Sequence, residues 1–439
     1  MTNIMIIENV TILTMNANRD IIDNGAVIIE DNKIIDVGDK SIKGKYINVD
    51  KVINGNNGIL IPGMINCHTH ASMVAFRSLA DDYKDRLKRY LFPLEQKLVD
   101  KELVYIGAKY AIAEMLLGGV TTFCDMYYFE DEVAKAAEEL NIRGVLCETI
   151  INFPAPDSNK SFGGLEYSKS FIEKWKGNTL ITPGIAPHAP YTNSDESLKE
   201  AYRLSKEHKV PLTMHVAEMD YEFEKYIKEY NMTPVQYLDS LGILDENFIS
   251  AHTILINDED IEILKSKNVK ISHNIGANAK GAKGVAPIIK MKEAGINIGL
   301  GTDGPMSGNT LDIITQMSLV GKIHKLYSKD RTILPSIELL EMATIDGAKV
   351  LSMEKDIGSI EIGKKADLVI VETESVNMQP IYDYYSTIVY SANPSNVDTV
   401  IVDGKIVVKG KELVSSELCD IRKELLMQKN KIDTIVKTL

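Results

Sequence analysis

The hydrophobic pattern of the chain separates two similar ends from a long middle of a different kind. Within the first 57 residues, short apolar segments alternate with turn residues, as in an antiparallel sheet. Asp31-Asn32 separates two of these segments and is typical of a tight hairpin turn. The segments that predict β-strands are Ile4–Met15, Gly25–Glu30 and Lys33–Val37.

The same β-rich pattern returns near the C-terminus, in Ala366–Glu372 and Val397–Val408. Asp403-Gly404, inside the second of these segments, is a strong signal for a two-residue hairpin. Because both ends of the chain carry short strands, we expect them to join into one domain. The sequence therefore predicts a small β-sandwich domain built from residues 1–57 and 363–414.

Between these ends, apolar segments of strand length alternate with amphipathic helical patterns such as Ser194–Lys209 and Asp258–Lys267. Eight such units predict an α/β fold, a (β/α)8 barrel of the TIM type over residues 58–362. Such a barrel carries its functional groups at the C-terminal ends of its strands. The predicted strands are Ile59–Asn66, Thr121–Met126, Gly144–Ile150, Leu180–Ala186, Val210–Val216, Phe248–Ala251, Val269–Ser272 and Ile296–Gly301.

Histidines and one aspartate stand at four of these strand ends. His68 and His70 end the first strand two residues apart, so their imidazoles share one face. His215 ends the fifth strand, His252 follows the sixth, and Asp303 closes the eighth. Neutral imidazoles and a carboxylate that converge at one opening of a barrel predict a site for a divalent metal ion.

Glu218 lies three residues after His215, which places it in the loop beyond the strand. We expect its carboxylate near the metal but outside the ligand set, in a position suited to general acid–base catalysis. The alternative is a solvated loop charge, since Asp220 and Glu222 nearby are ordinary charges. Cys67, between the two metal-site histidines and the strand, is expected to be a small buried filler.

The net charge and the spacing of the cysteines argue against several kinds of partner and location. A net charge of −13 argues against nucleic acid and against an anionic membrane as partners, because both need a basic surface. The sequence has no apolar stretch long enough to span a membrane, and its four cysteines have no framework spacing. We expect a cytoplasmic protein that acts on a small molecule. Residues 415–439, with a charged helix predicted over Ser416–Thr438, are expected to serve packing or homo-oligomer formation.

At these residues the chain resembles the amidohydrolase superfamily, and within it the mononuclear deaminases of the methylthioadenosine/S-adenosylhomocysteine deaminase group. The resemblance implies that the metal ligands are His68, His70, His215 and Asp303. Further matching segments are Ser78-Leu79-Ala80-Asp81-Asp82, Phe92-Pro93-Leu94-Glu95, Pro187-His188-Ala189-Pro190-Tyr191, Ser272-His273-Asn274, and Thr302-Asp303-Gly304 with Asn309.

The activity that this resemblance implies is hydrolytic deamination of an adenine nucleoside, with release of ammonia. Asp303 would accept a proton from the attacking water, Glu218 would protonate the adjacent ring nitrogen, and His252 would stabilise the tetrahedral centre. Glu95 matches a contact to the ribose hydroxyls, and His188 matches a nucleoside contact.

The resemblance also bears on the metal. Superfamily members with two metals bridge them with a modified lysine on the fourth strand, and Leu180–Ala186 contains no lysine. We therefore expect one divalent ion per chain, with zinc in first place and iron or manganese as alternatives.

The chain departs from the group where relatives bind the carboxylate of S-adenosylhomocysteine with arginines. In this chain Glu148 and Leu165 occupy the positions expected for those arginines, on the third strand and in the loop after it. Lys160 is the cation of that loop. Without a bidentate arginine, an uncharged 5′ substituent is favoured over a carboxylate. Arg77, Arg86 or Arg89, from the excursion after the first strand, would supply the missing cation if this interpretation is wrong.

Two other functions stay open on the sequence alone. The first is deamination of another aminated heterocycle, such as guanine, cytosine, a pterin or a triazine. The second is a non-enzymatic scaffold protein, although such a protein would be expected to have lost metal ligands that this chain keeps. Elemental analysis and an assay for ammonia release would separate these classes.

Overall fold

The computed structural model of the protein describes residues 3–83 and 86–437, except for the side chains of residues 87 and 88. Within these residues the strands fall into two sheets of eight strands each. The strands are β1 (Ile4–Leu13), β2 (Ile21–Glu30), β3 (Lys33–Asp39), β4 (Lys51–Pro62), β5 (Met64–Thr69), β6 (Val120–Tyr127), β7 (Arg143–Ile150), β8 (Ile181–Pro187), β9 (Leu212–Val216), β10 (Phe248–His252), β11 (Lys270–His273), β12 (Ile298–Leu300), β13 (Leu368–Val371), β14 (Val397–Val402), β15 (Lys405–Lys409) and β16 (Glu412–Leu413).

Most of the α-helices follow the barrel strands. They are α1 (Phe92–Leu98), α2 (Lys101–Leu117), α3 (Glu130–Leu140), α4 (Gly164–Trp175), α5 (Asp195–His208), α6 (Asp220–Tyr230), α7 (Pro234–Ser240), α8 (Asp258–Ser266), α9 (Ile275–Lys280), α10 (Ile288–Glu293), α11 (Ile313–Ser328), α12 (Ser336–Ala343), α13 (Ile345–Val350), α14 (Tyr384–Ser386) and α15 (Leu418–Val436). None of the helices in the described ranges is both long and apolar enough to cross a membrane.

Strands β5 to β12 are parallel neighbours in chain order, which confirms the predicted (β/α)8 barrel. The two ends of this sheet meet just beyond β12, where the backbone N–H groups of Thr302 and Asp303 both donate to the carbonyl of His68 at 3.1 Å. Gly301 permits this approach, because a Cβ there would lie 3.0 Å from the same carbonyl and 2.2 Å from Asn274 Oδ1.

The second sheet takes strands from both chain ends, in the order β16-β15-β14-β13-β4-β1-β2-β3. The predicted β domain from both ends is thus confirmed, and its strands form one continuous hydrogen-bonded sheet. The sheet curls, since the turn after β2 reaches the turn after β14, where Asn32 Nδ2 donates to Asp403 Oδ1 at 3.2 Å. Its shared apolar core includes Ile7, Leu60 and Ile401.

The apolar segment Ile59–Asn66, predicted as one barrel strand, is divided between the two sheets, so that prediction is wrong in part. Residues up to Pro62 belong to β4 and pair with β1 and β13, whereas β5 starts at Met64. Gly63 makes the crossing possible, because a Cβ at this position would lie 2.0 Å from Thr121 Oγ1. The predicted domain boundary after residue 57 falls inside β4, and we propose Gly63 as the boundary instead.

The predicted C-terminal helix is present as α15 and packs against α2. Ile432 is buried in the main core, and Lys431 Nζ lies 3.1 Å from Glu102 Oε2 of α2. Helix α15 therefore has the packing role that was expected from the sequence. The end of that prediction, residues 438 and 439, lies outside the described residues.

Arg143, the first residue of β7, joins the barrel to the curled sheet. Its Nε lies 3.0 Å from Asp367 Oδ2, its Nη2 lies 3.3 Å from Asp403 Oδ1, and its Nη1 donates to the Thr179 carbonyl at 2.9 Å. The residue is 4% exposed, so water cannot replace a lost partner. Removing one side of such a buried ion pair leaves an uncompensated charge.

We expect Arg143→Met to lower the free energy of unfolding by about 3–5 kcal/mol, because Asp367, which is 3% exposed, then stays buried without its cation. Urea denaturation followed by circular dichroism measures the change. Lys160→Met is the matched control, since Lys160 and its partner Glu166 are both exposed and 4.0 Å apart. Equal behaviour of the two variants would show that Arg143 does not hold the sheets together.

Candidate active site

The five residues predicted at strand ends meet at one opening of the barrel. His68 lies within β5 and His70 directly follows it, while His215 and His252 lie at the ends of β9 and β10. Asp303 lies three residues beyond the end of β12, in the segment that closes the barrel. All five are buried.

The ligand atoms of these residues are close enough to surround one ion. His70 Nε2 lies 3.3 Å from Asp303 Oδ1 and 3.2 Å from His215 Nε2. His68 Nε2 lies 4.0 Å from the same aspartate oxygen. Ligand atoms about 2.1 Å from a tetrahedral ion are separated by about 3.4 Å, so these distances fit a metal site.

The hydrogen bonds of the imidazoles also fit a metal site. Within the part of the chain that the structure describes, neither ring nitrogen of the fully buried His68 has a hydrogen-bond partner. His70 Nδ1 lies 2.5 Å from the Met126 carbonyl, and His215 Nδ1 lies 2.7 Å from the His188 carbonyl. A carbonyl on one ring nitrogen fixes the ring and leaves the other nitrogen as a ligand.

The protonation states of the histidines differ. Burial, together with the nearby imidazoles, lowers the pKa of His68 and of His215 well below the ordinary value, which favours the neutral form that binds metal. Burial opposes the charge of His70 as well, but its contact with Asp303 raises the pKa of His70 to about 9. Metal uptake at this site would therefore release a proton.

Glu218 and His252 lie together beside this cluster. His252 Nε2 is 3.6 Å from Glu218 Oε1 and 4.0 Å from Asp303 Oδ2. His252 Nδ1 lies 2.8 Å from Asn278 Oδ1, which orients the ring. The backbone N–H of Glu218 donates to Glu222 Oε2 at 3.0 Å, so the supposedly ordinary charge of Glu222 in fact anchors the loop.

Glu218 is held as a carboxylate. Burial alone would raise the pKa of Glu218, but its electrostatic interactions with His252 and with the Lys283 ammonium lower it to about 2. The Lys283 ammonium is in direct contact with Glu218 Oε1. The alternative of a solvated loop charge is thus wrong, since the Glu218 side chain is only 14% exposed.

A cavity of about 520 Å³ opens onto this cluster, and Glu95 and His188 line it as well. Glu95, in α1, accepts a hydrogen bond from the Tyr127 hydroxyl at 3.0 Å, and burial raises its pKa to about 7. His188 Nδ1 lies 3.0 Å from Thr192 Oγ1, and burial lowers the pKa of His188 to about 4.

The residues expected near a 5′ carboxylate do not line the cavity. Glu148 is fully buried and accepts the backbone N–H of Glu130 at 3.1 Å, while the Lys160 side chain is 80% exposed. Among the cations that the sequence left open, Arg86 lines the cavity and donates to the Met306 carbonyl at 2.6 Å.

The other two arginines are engaged outside the cavity lining. Arg77 is paired with Glu114, and the Arg89 guanidinium lies 5.4 Å from the ring centre of Tyr90. Within the described ranges, the basic residues on the cavity wall, apart from histidines, are Arg86, Lys280 and Lys283.

The backbone is strained at or beside three residues with predicted catalytic roles. His252 has a φ of 70° and Asp303 a φ of 59°, the left-handed region that L-residues rarely adopt. Ala217, directly before Glu218, has a φ of 52°. Such conformations cost about 1–3 kcal/mol each and persist where the surrounding structure fixes them, as at functional sites.

Sequence reasoning missed several residues of this site. Tyr127 holds Glu95, Asn278 orients His252, and Lys283 contacts Glu218. Tyr221 lies on the cavity wall, with its hydroxyl 2.9 Å from that of Tyr191, a residue of a matching segment that had no predicted role. Asn278 carried a weak signal, because it lies one helical turn beyond the Ser-His-Asn segment. Lys283 carried none.

A nearly closed parallel barrel with imidazoles and an aspartate at its strand ends defines a metal-dependent hydrolase of the amidohydrolase kind. The model of the Amidohydrolase family matches residues 59–407. The chain therefore belongs to the amidohydrolase family.

Three proteins that are similar to this chain are named as deaminases. A protein of Thermodesulfovibrio yellowstonii named 5-methylthioadenosine/S-adenosylhomocysteine deaminase is 41% identical over 401 residues, covering 90% of this chain and 91% of that protein. A 5′-deoxyadenosine deaminase of Methanobrevibacter smithii is 38% identical and covers 96% of both chains. The crystal structure of an adenosine deaminase from Xanthomonas campestris with bound zinc superimposes with a TM-score of 0.95, at 27% identity and 98% coverage of both chains.

Proposed function

We propose that the protein is a metal-dependent hydrolytic deaminase of adenine nucleosides. The observation that carries this proposal is the position of Glu218, beside the imidazole and aspartate cluster and on the same cavity as the buried carboxylate of Glu95. The same cavity thus offers a hydrolytic centre and an acceptor for hydroxyl groups. The names of the similar proteins support the same substrate class.

We propose that His68, His70, His215 and Asp303 hold one divalent ion, with zinc as the expected metal. The unpartnered ring nitrogens of His68 and the spacing of the ligand atoms fit such an ion. When bound, the ion supplies a water molecule whose pKa is lowered toward about 7.

The chain's own residues would then move two protons. Glu218 starts as a carboxylate, so it first takes one proton of the attacking water and then donates it to the ring nitrogen next to the amino-bearing carbon. Asp303 takes the second proton of the water and passes it to the departing amine. His252 stabilises the oxygen at the tetrahedral carbon. The products are ammonia and the hypoxanthine nucleoside.

Substrate selection would come from the cavity wall. The Glu95 carboxylate is a natural acceptor for two vicinal ribose hydroxyls, and His188 lies beside the imidazole cluster, with its ring centre 4.9 Å from that of His215. We propose an uncharged 5′ substituent, as in 5′-methylthioadenosine, 5′-deoxyadenosine or adenosine, because Arg86 is already bound to Asp81 and to the Met306 carbonyl. The cytoplasmic location and the homo-oligomeric state remain predictions.

We expect one tightly bound divalent ion per chain. Elemental analysis after gel filtration should give a ratio of metal to protein chain near one. His68→Ala should lose both the ion and activity, because it removes an imidazole that is proposed as a ligand and whose ring nitrogens have no other partner. His208→Ala is the control, since His208 lies on α5 outside the cavity. Two tightly bound ions per chain, or activity in the metal-free protein, would contradict this prediction.

Glu218→Gln should keep the metal but lower kcat by about 10²–10⁴-fold, because an amide cannot carry the proton to the ring. KM for adenosine should change little. Steady-state kinetics of ammonia release, together with metal analysis of the same preparation, measure both effects. Loss of the metal in this variant would make Glu218 a ligand instead.

A panel of adenine nucleosides tests the substrate class. Glu95→Gln, or removal of both ribose hydroxyls from the substrate, should lower kcat/KM by at least about tenfold, since either change leaves a buried polar group unpaired. Methylthioadenosine should have a higher kcat/KM than S-adenosylhomocysteine. The reverse order would indicate that Arg86 binds the carboxylate. Turnover of a free base or a pterin alone would remove adenine nucleosides as substrates.

A further inference from the structure

Lys283 makes a contact that the proposed reaction does not by itself require. Its ammonium touches Glu218 Oε1, and both side chains are largely shielded from solvent, at 15% and 14% exposure. A buried ion pair is a poor source of stability, because desolvation of the two charges offsets their attraction. A lysine held on the acid–base residue of a cavity therefore suggests a role in the reaction.

The backbone brings Lys283 to this place by a strained turn. The N–H groups of Ala282 and Lys283 donate to the carbonyls of Ala279 at 3.1 Å and Asn278 at 2.9 Å, which is the Schellman pattern that ends α9. Ala282 adopts a φ of 52°, a position that favours glycine. The chain thus keeps an alanine in an unfavourable conformation directly before Lys283.

One short segment consequently supports both residues that handle the attacking water. Asn278 contacts His252 through its side chain and Lys283 through its backbone carbonyl, and Lys283 contacts Glu218. On its other side, Glu218 is anchored through its N–H to Glu222. Glu218 is thereby held from two sides, its backbone by Glu222 of α6 and its side chain by Lys283, which follows α9.

We propose that Lys283 is a positioning residue of the deamination, which holds the Glu218 carboxylate at the place where the ring nitrogen of the substrate arrives. This inference rests on the proposed function. Lys283 makes no proton transfer of its own and acts only through Glu218. A loosely held carboxylate would meet the ring less often in the correct geometry, and a misplacement of about 1 Å costs about 100-fold in rate.

The test compares Lys283→Met, Lys283→Arg and the control Lys290→Met, with adenosine as substrate. Lys290 is an exposed lysine of the next helix, paired with Asp258 at 2.6 Å. Lys283→Met should lower kcat about 10- to 100-fold with KM within about threefold and metal content unchanged. Lys283→Arg should keep more activity, because it retains a cation, and Lys290→Met should equal the wild type.

A double-mutant cycle separates positioning from a structural role. In a Glu218→Gln background, Lys283→Met should change the residual kcat by less than about twofold, because the partner that Lys283 positions is gone. An equal fall in both backgrounds, or a wild-type kcat for Lys283→Met, would overturn the inference. A lower KM with a higher kcat would also overturn it, because the Lys283 ammonium would then compete with the substrate ring for the Glu218 carboxylate and would not position that carboxylate. If Lys283→Met does not fold, Lys283→Gln replaces it in the same cycle.

The outcome also distinguishes this inference from the proposed function. A wild-type protein that releases ammonia from adenosine while Lys283→Met is unaffected supports the function and refutes the positioning role. A wild-type protein without turnover of any aminated ring refutes both.

Discussion

The hydrogen bonds that close the barrel also assemble its reactive centre. Thr302 and Asp303 donate their N–H groups to the carbonyl of His68, which joins the last strand of the barrel to the first. The same two bonds bring the Asp303 carboxylate beside the imidazoles of His68 and His70. Closure of the fold and assembly of the metal site are therefore one event, and a chain that failed to close would lack the site.

The fold keeps this centre although it is unfavourable in isolation. Imidazoles without partners, an ionised Glu218 and left-handed backbone at His252 and Asp303 all cost free energy. The surrounding barrel core holds them in place, together with the contacts of His70 and His215 with backbone carbonyls and of His252 with the Asn278 amide oxygen. Bound metal would relieve part of this cost, because it satisfies the orphaned nitrogens of His68.

The sequence predicted what depends on local pattern. Strand-length apolar segments, each followed by a helical pattern, are enough to predict a barrel, and a barrel puts His68, His215 and Asp303 at one face whatever the exact strand bounds. The division of the chain at Gly63 was not predictable in this way, because one apolar run serves two sheets. Lys283 escaped prediction because only the tertiary fold brings its loop to Glu218.

The site divides its work between two kinds of chain segment. The proposed metal ligands and His252 lie at strand ends or in the closing segment, where the barrel fixes them. Glu95 lies on a helix of the excursion between β5 and β6, and Lys283 lies on a loop after β11. Excursions and loops can change without disturbing the closed sheet. Similar proteins are named for methylthioadenosine and S-adenosylhomocysteine, for 5′-deoxyadenosine and for adenosine, compounds that share the adenine ring and differ at the 5′ position. Selection among them therefore has to come from the cavity wall, where Arg86 and Lys280 lie, and not from the residues that hold the metal.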